Sequence, residues 1–397
     1  MSGRPSETQP VSLRAIVREW GRIGVIGFGG PPTHIALLRQ LCVERNPWIA
    51  AREFEDAIAA TNLLPGPAST QLAIFCAWRL RGRLGGILGG VSFILPGFVL
   101  ILALSAVFLA ADPPLWILGA AAGAGAAVPA IALTAGIGLV PASWRRAGPH
   151  RAARARWVVY VAVGIAAGAT IGAYLVLVLM AMGLVEVGFR AKWRRPPSAG
   201  ASALFLPLVV PAVSIGGLAA LAWVSLKVGA LSYGGGFVII PLMQHDAVTT
   251  YHWMTNAQFL NAVALGQVTP GPLVLTVAAV GFAAAGVGGA VFATLVAFLP
   301  SFIFVIAGGR KFDVLRDNLH IQAFLTGAGA TVIGAIIGSA IPLGLALSEL
   351  WQCGLLAAAG VWLLVARRGV VSAILFCAVI GVVAALLGAP TASALVP

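Results

Sequence analysis

The chain is poor in charge before it is rich in anything. Charged residues make up 9% of it, where a soluble domain carries about a quarter. From Leu84 to Trp144 the sole charged residue is Asp112, and between Asn318 and Ala366 it is Glu349. Stretches so long and so bare belong in lipid or inside protein, which excludes most soluble enzymes and DNA-binding modules. Cysteine is scarce as well: Cys42, Cys76, Cys353 and Cys377 stand apart in apolar sequence with no paired spacing. Neither a disulfide framework nor a zinc site is expected, and the four read as buried bystander thiols. No GxSxG, HExxH, P-loop or dinucleotide fingerprint is present, so the expectation is a protein that is not an enzyme, with no cofactor and no metal. The polar start, Met1 to Val11, leads into an apolar segment interrupted by Arg14, Arg18 and Arg22. That does not resemble a cleavable signal peptide, and the N-terminus is expected in the cytoplasm.

Apolar residues fill the space that charge leaves: they are 60% of the 397 residues, and the mean hydropathy is +0.98. At roughly 20 residues per crossing the reading is an all-α polytopic membrane protein, multi-pass in the inner (plasma) membrane, with about 10–13 membrane segments by the same measure. The count stays open around residues 157–217, where Pro207 and Pro211 interrupt an apolar run. The net charge of +13 would suggest nucleic acid in a soluble chain. Here the bases cluster in short gaps between apolar stretches, as cytoplasmic loops do, and the expected surroundings are the lipid bilayer, with no nucleic acid.

Shifting the chain by 205 residues brings Pro65-Gly66-Pro67 onto Pro270-Gly271-Pro272, Trp48 onto Trp253, Phe54 onto Phe259, Gly24 onto Gly229 and Gly29-Gly30 onto Gly234-Gly235 without a gap. At a shift of 204, Leu95-Pro96-Gly97-Phe98 falls on Leu299-Pro300-Ser301-Phe302. This is a tandem duplication, divided as residues 1–144 (first repeat), 145–203 (basic loop, extra apolar sequence and linker) and 204–397 (second repeat). Equivalent loops carry opposite charge. Arg79, Arg81 and Arg83 match an uncharged Ala283–Val287, Arg310, Lys311 and Arg316 match Ala106, Val107 and Asp112, and the five arginines between Trp144 and Trp157 match a base-free Ser348–Gln352. By the positive-inside rule the copies have inverted topology, an arrangement met in secondary transporters.

Each copy carries two Gly/Pro interruptions in apolar sequence, so broken helices or re-entrant hairpins are expected. A helix that restarts after such a break offers free N–H groups and the positive end of its dipole, suited to an anion. The candidate substrate-binding residues are Gly29, Gly30, Thr33, His34, Asn62, Pro65, Gly66, Pro67, Ser69, Thr70 and Gln71 in the first copy. Those in the second are Gly234, Gly235, Gly236, Gln267, Thr269, Pro270, Gly271, Pro272 and Thr276. Arg22 and Lys227 are equivalent cations, each seven residues before its Gly-Gly pair; they either line or steer an anion path or snorkel to the headgroups. A proton-coupling carboxylate would come from Glu53, Glu55, Asp56, Asp246 or Glu186.

The motifs Phe28-Gly-Gly-Pro-Pro-Thr-His34, Leu64-Pro-Gly-Pro-Ala-Ser-Thr-Gln71, Phe93-Ile-Leu-Pro96, Gly234-Gly-Gly236 and Gly266-Gln-Val-Thr-Pro-Gly-Pro272 resemble those of the chromate ion transporter (CHR) family in its long, two-domain form. Tyr233 and Trp78-Arg79 depart from the family's usual residues. The resemblance implies chromate efflux and chromate resistance. A tetrahedral dianion suits backbone N–H groups and hydroxyls better than a ring of fixed cations that would hold it too tightly to release. A sulfate or other oxyanion carrier is the alternative within the class. A lipid-phosphate enzyme or scramblase would instead need acids, His or Arg clustered at one membrane face. Coupling to a proton or counter-anion and a homodimeric assembly are compatible with the sequence and not specified by it.

Overall fold

The computed structural model describes residues 11–61, 66–109, 113–170, 174–191, 217–232, 236–237, 239–308 and 318–391. All regular structure among these residues is helical. The first half runs α1 (Leu13–Ile26), α2 (Pro31–Arg39, continued by a π turn, Gln40–Arg45), α3 (Ala51–Thr61), α4 (Ala68–Phe108), α5 (Leu115–Ala147), α6 (Arg151–Thr170) and α7 (Leu175–Ala191). The second runs α8 (Leu218–Leu231), α9 (Ile239–Gln244, with a π turn, His245–Thr250), α10 (Asn256–Val268), a 3₁₀ turn (Leu273–Leu275) leading into α11 (Thr276–Gly308), α12 (Leu319–Leu345), α13 (Leu350–Gly360, with a π turn, Val361–Val365) and α14 (Val370–Leu386). Helix α8 starts and stops 205 residues after α1, and the π turns at 40–45 and 245–250 keep the same spacing.

Among the described residues, five helices are long and apolar enough to cross a membrane: α4, α5, α6, α11 with its leading turn, and α12. Two of these, α4 and α11, are sharply bent. Helix α4 folds back on itself at Arg81-Gly82, where Gly82 takes φ +61° and ψ −154°. Helix α11 does the same at Ala285-Gly286, where Gly286 takes φ +61° and ψ −152°. Only glycine adopts that backbone without strain. The two arms then press together through small residues: a Cβ on Gly85 would lie 2.4 Å from the Ala77 carbonyl oxygen, and one on Gly281 would lie 2.5 Å from that of Gly289. The first arm of α4, residues 68–80, is about 20 Å long at 1.5 Å per residue. That is too short for a hydrocarbon core of about 30 Å.

These short pieces form helical hairpins. Glu53 at the start of α3 pairs with Arg79 at the end of the first arm of α4, so the hairpin α3–break–α4 begins and ends at one end of the bundle. Arg39 near the end of α2 pairs with Glu55 and Glu44, which brings α2 to that end too. Helix α1 runs alongside the second arm of α4, with Gly89 against Ile16 and Trp20 and with Gly24 against Phe93. Both hairpins of the first copy therefore open toward Arg79–Arg83 and carry their Gly/Pro breaks at their inner tips.

The copies interlock. Helix α5 packs chiefly against α14 and α12 of the other half, while α12 packs also against α6 and α7. Glycine makes these contacts close: Gly119 and Gly123 lie on the backbone at Gly381 and Cys377, and Gly164 and Gly168 on that at Thr331 and Ala335. Small residues that bring backbones together are the usual cement between helices in lipid, where apolar side chains gain nothing by leaving it.

Candidate functional site

The breaks meet inside the bundle. At the first, α1 ends at Gly27, and the chain turns through Gly29 (φ +95°) and Gly30 (φ +78°) into α2, with prolines in its first turn. His34, fully buried, reaches back with Nε2 to the Gly27 carbonyl at 2.8 Å and with Nδ1 to Ser69 Oγ at 3.2 Å. A carbonyl only accepts, so Nε2 donates to Gly27. With Nδ1 then accepting from the Ser69 hydroxyl, a neutral imidazole satisfies both bonds. The same Gly27 carbonyl accepts the N–H of Gly271 at 3.0 Å, which ties a first-copy tip to a second-copy tip.

The two Pro-Gly-Pro tips take reciprocal seats. Gly66 (φ +117°) lies against Ser301 and the Gly229 carbonyl, whereas Gly97, the residue equivalent to Ser301, lies against Pro270. Gly24 rests on the Phe93 carbonyl and its equivalent Gly229 on that of Ala297. Each copy thus lodges its break on the long helix of the other, and each first helix on its own.

Equivalent seats hold unequal chemistry. Around Gly66 the helix starts with Pro67 as its cap and continues through Ser69, Thr70 and Gln71, all buried. The corresponding residues after Gly271 are Val274, Leu275 and Thr276, and the first of these turns is 3₁₀. A Cβ on Gly97 would stand 2.2 Å from the Pro270 carbonyl oxygen and 2.7 Å from Leu275 Cδ1, so that seat is filled. Thr276 and Thr269 spend their hydroxyls on the carbonyls of Leu273, at 2.9 Å, and Leu265, at 2.7 Å. Thr70 Oγ1, Ser301 Oγ, Ser225 Oγ, Ser232 Oγ and Gln267 Nε2, by contrast, are buried with no hydrogen-bond partner. Gly236 (φ +92°) lies beside Ser232 and Leu273, where the second copy's two breaks adjoin.

Of the residues the sequence singles out, the structure brings His34, Gly66, Pro67, Ser69, Thr70 and Gln71 together, with Pro270, Gly271 and Pro272 across the Gly27 contact. Gly29, Gly30 and Thr33 turn outward, Gly29 exposed and Thr33 half-buried. Asn62, Pro65, Gly234 and Gly235 lie outside the described residues. Ser301, Ser225 and Ser232 are not among the sequence candidates; no local motif marks them, and only packing brings Ser301 to a break more than two hundred residues away.

The equivalent cations also part company. Arg22 is exposed and lies 4.0 Å from Glu19. Lys227 is buried and paired with Asp246 on the π turn after α9. The position equivalent to Asp246 is Leu41, so the first copy has no such pair. Glu186 is held by Arg156, Arg190 and the Tyr160 hydroxyl. The cysteines are free thiols, and one of them departs from the expectation of burial. Cys42, Cys76 and Cys377 are buried, whereas Cys353, on α13, is exposed. A concavity of 710 Å³ lies away from the breaks in the seam between the second arms of α4 and α11. Its walls are apolar and include the outward-facing Leu95, Leu295 and Ile303.

A multi-pass membrane protein of helical hairpins, with glycine and proline tips meeting at the centre of the bundle, is the class that fold and site define. Within it, the chain belongs to the chromate transporter family, whose model matches residues 14–187 and 219–384. The two matches begin 205 residues apart. The chain is 33% identical over 345 residues to the chromate transport protein of Cupriavidus metallidurans, covering 84% of this chain and 82% of the relative. It is 32% identical over 362 residues to that of Pseudomonas aeruginosa, covering 86% and 83%. A probable chromate transport protein of Synechococcus elongatus is 28% identical over 343 residues, covering 84% and 85%. No solved structure matches.

Proposed function

We propose that the protein exports chromate across the cytoplasmic membrane as a secondary transporter and so confers chromate resistance, with the dianion bound between the copies at the convergence of the breaks. The observation that carries this reading is the buried, donor-rich start of α4 at Gly66–Gln71, set at the tip of a hairpin inside the bundle of a chromate transporter family member. Backbone N–H groups and hydroxyls replace the hydration shell of a dianion, and each hydrogen bond to a charged partner contributes about 1.5–3 kcal/mol. The buried cation nearest in sequence to the second copy's break, Lys227, is offset by Asp246. The anion therefore meets dipoles and not a trap.

Inverted copies support the same reading. The reciprocal seats of Gly66 on Ser301 and of Pro270 on Gly97 are those that an approximate two-fold relation between the halves would give. Gly90, early in the second arm of α4, faces Phe302, late in that of α11, as antiparallel arms do. Together with the opposite charge of equivalent loops, this favours copies that cross the membrane in opposite senses.

Export runs with the membrane potential. Moving two negative charges outward from a negative interior gains about 4.6 kcal/mol per 100 mV, twice the single-charge value. Chromate uptake into inverted membrane vesicles tests this: expression is expected to raise uptake, and collapsing an imposed potential is expected to lower it. Vesicles that take up no more chromate than controls would remove the assignment. Excess sulfate in the same assay addresses the alternative oxyanion; uptake of labelled sulfate in preference to chromate would favour that reading.

A further inference from the structure

We propose that the carrier has one oxyanion cradle and not two, at the first Pro-Gly-Pro break, and that the Ser301 hydroxyl of the second copy completes it. This rests on the oxyanion reading above. The starting point is the helix that begins after Pro67, whose first N–H groups have no partner within the helix. On its own a helix start says little. Facing it, however, is a serine that is fully buried, has no hydrogen-bond partner, and places Oγ 3.1 Å from where a Cβ on Gly66 would stand. One turn into α4, Thr70 is also fully buried, with Oγ1 unpartnered. A buried hydroxyl left without a partner costs stability. Two of them, from opposite copies, beside a helix start with spare donors, are accounted for together by a ligand that accepts hydrogen bonds.

Helix α8 adds to the same wall. The Gly229 carbonyl lies 3.4 Å from the Cβ position on Gly66. Ser225, one turn earlier on α8, and Ser232, beside Gly236 at the second copy's own breaks, are both fully buried with unpartnered hydroxyls. Their equivalents in the first copy are Trp20 and Gly27, already occupied: Trp20 Nε1 donates to the Ala73 carbonyl at 2.8 Å, and Gly27 accepts from His34 and Gly271. The duplication has therefore been spent asymmetrically. The second copy supplies the Ser301 hydroxyl to the first copy's break, whereas the first copy meets the second copy's break with Gly97, packed on the Pro270 carbonyl. The ligand is a tetrahedral oxyanion held by neutral donors from both copies.

The test uses the full-length protein in inverted vesicles with chromate as substrate, and a volume-matched pair of variants. Ser301→Thr keeps the hydroxyl and Ser301→Val removes it at similar size, so a packing defect affects both and loss of a donor affects only one. The expected result is an apparent KM raised about ten- to a hundredfold by Ser301→Val, the range set by one hydrogen bond to a charged partner, with Ser301→Thr close to wild type. Ser105→Ala, which removes another buried and unpartnered hydroxyl farther along α4, is expected to leave KM unchanged. Equal KM for the Thr and Val variants, or equal loss in both, would overturn the proposal while leaving chromate transport standing. Absence of chromate uptake by the wild-type protein would instead remove the oxyanion reading on which it rests.

Discussion

Three glycines mark how unevenly room is shared at the centre of the bundle. At Gly97 an added methyl would meet the Pro270 carbonyl at 2.2 Å; that oxygen belongs to the backbone and cannot swing aside. Gly97→Ala is expected to force the arm and the second break apart and to destabilise the fold by about 1–3 kcal/mol or more, as overpacking does. Gly66 and Gly271 share a left-handed backbone, yet a Cβ on Gly66 would meet Gln71 Nε2 at 2.5 Å, and nothing approaches one on Gly271 closer than 3.6 Å. Gly66→Ala is therefore expected to impair chromate uptake more than Gly271→Ala, with both paying the same conformational strain. Thermal melts in detergent and vesicle uptake check the series. A Gly97→Ala protein that melts like the wild type, or a Gly271→Ala protein with the larger uptake defect, would contradict it. The breaks at Gly29-Gly30, Gly66 and Gly271 are legible in the sequence because glycine beside proline in an apolar run has few helical uses. Gly82 and Gly286 are not, since each sits in a run that reads as continuous helix, and only the folding back of the arms shows their φ of +61°. Ser301 is illegible for another reason: its role depends on a neighbour from the other copy.

Among the elements, α8 and the π turn after α9 carry a charge pair that the repeat does not reproduce. Lys227 and Asp246 are both buried and bonded to each other, so removing one partner strands the other. Asp246→Asn or Lys227→Met alone is expected to destabilise by about 3–5 kcal/mol, while the joint replacement Lys227→Met with Asp246→Leu is expected to be tolerated far better. A thermal-melt double-mutant cycle reads this directly; single variants as stable as the wild type would show that the pair is solvated. The helices themselves are mostly legible. The extents of α1 and α8 follow from the offset of 205 once the repeat is seen. The pairing of α5 with α12 and α14 is not, because small-residue faces on several helices fit one another equally well until the whole bundle is closed.

For the whole molecule, the hairpin geometry turns a charge argument into a topological one. Arg14, Arg18, Arg79, Arg81 and Arg83 belong to elements that open toward the same end of the first copy. If that end is cytoplasmic, the residues between α4 and α5, near Asp112, face outward and those between α11 and α12, near Arg310 and Lys311, face inward. Labelling single cysteines placed at Arg83, Asp112 and Lys311 with a membrane-impermeant reagent on intact cells should modify only the one at position 112. Equal labelling of positions 83 and 112 would refute the inverted arrangement.

The exchange of partners between halves also sets a timetable. Helix α5 finishes at Ala147, and the helix that covers its glycine face, α14, starts only at Val370. At roughly 5–20 residues per second of synthesis, the first half waits about 10–45 s with Gly119 and Gly123 facing lipid or a substitute partner. Only when the last helix emerges from the ribosome does α5 obtain its permanent neighbour. A chain truncated between α13 and α14 is expected to insert with that glycine face of α5 still uncovered, so α14 acts as a late clasp on a helix made long before it.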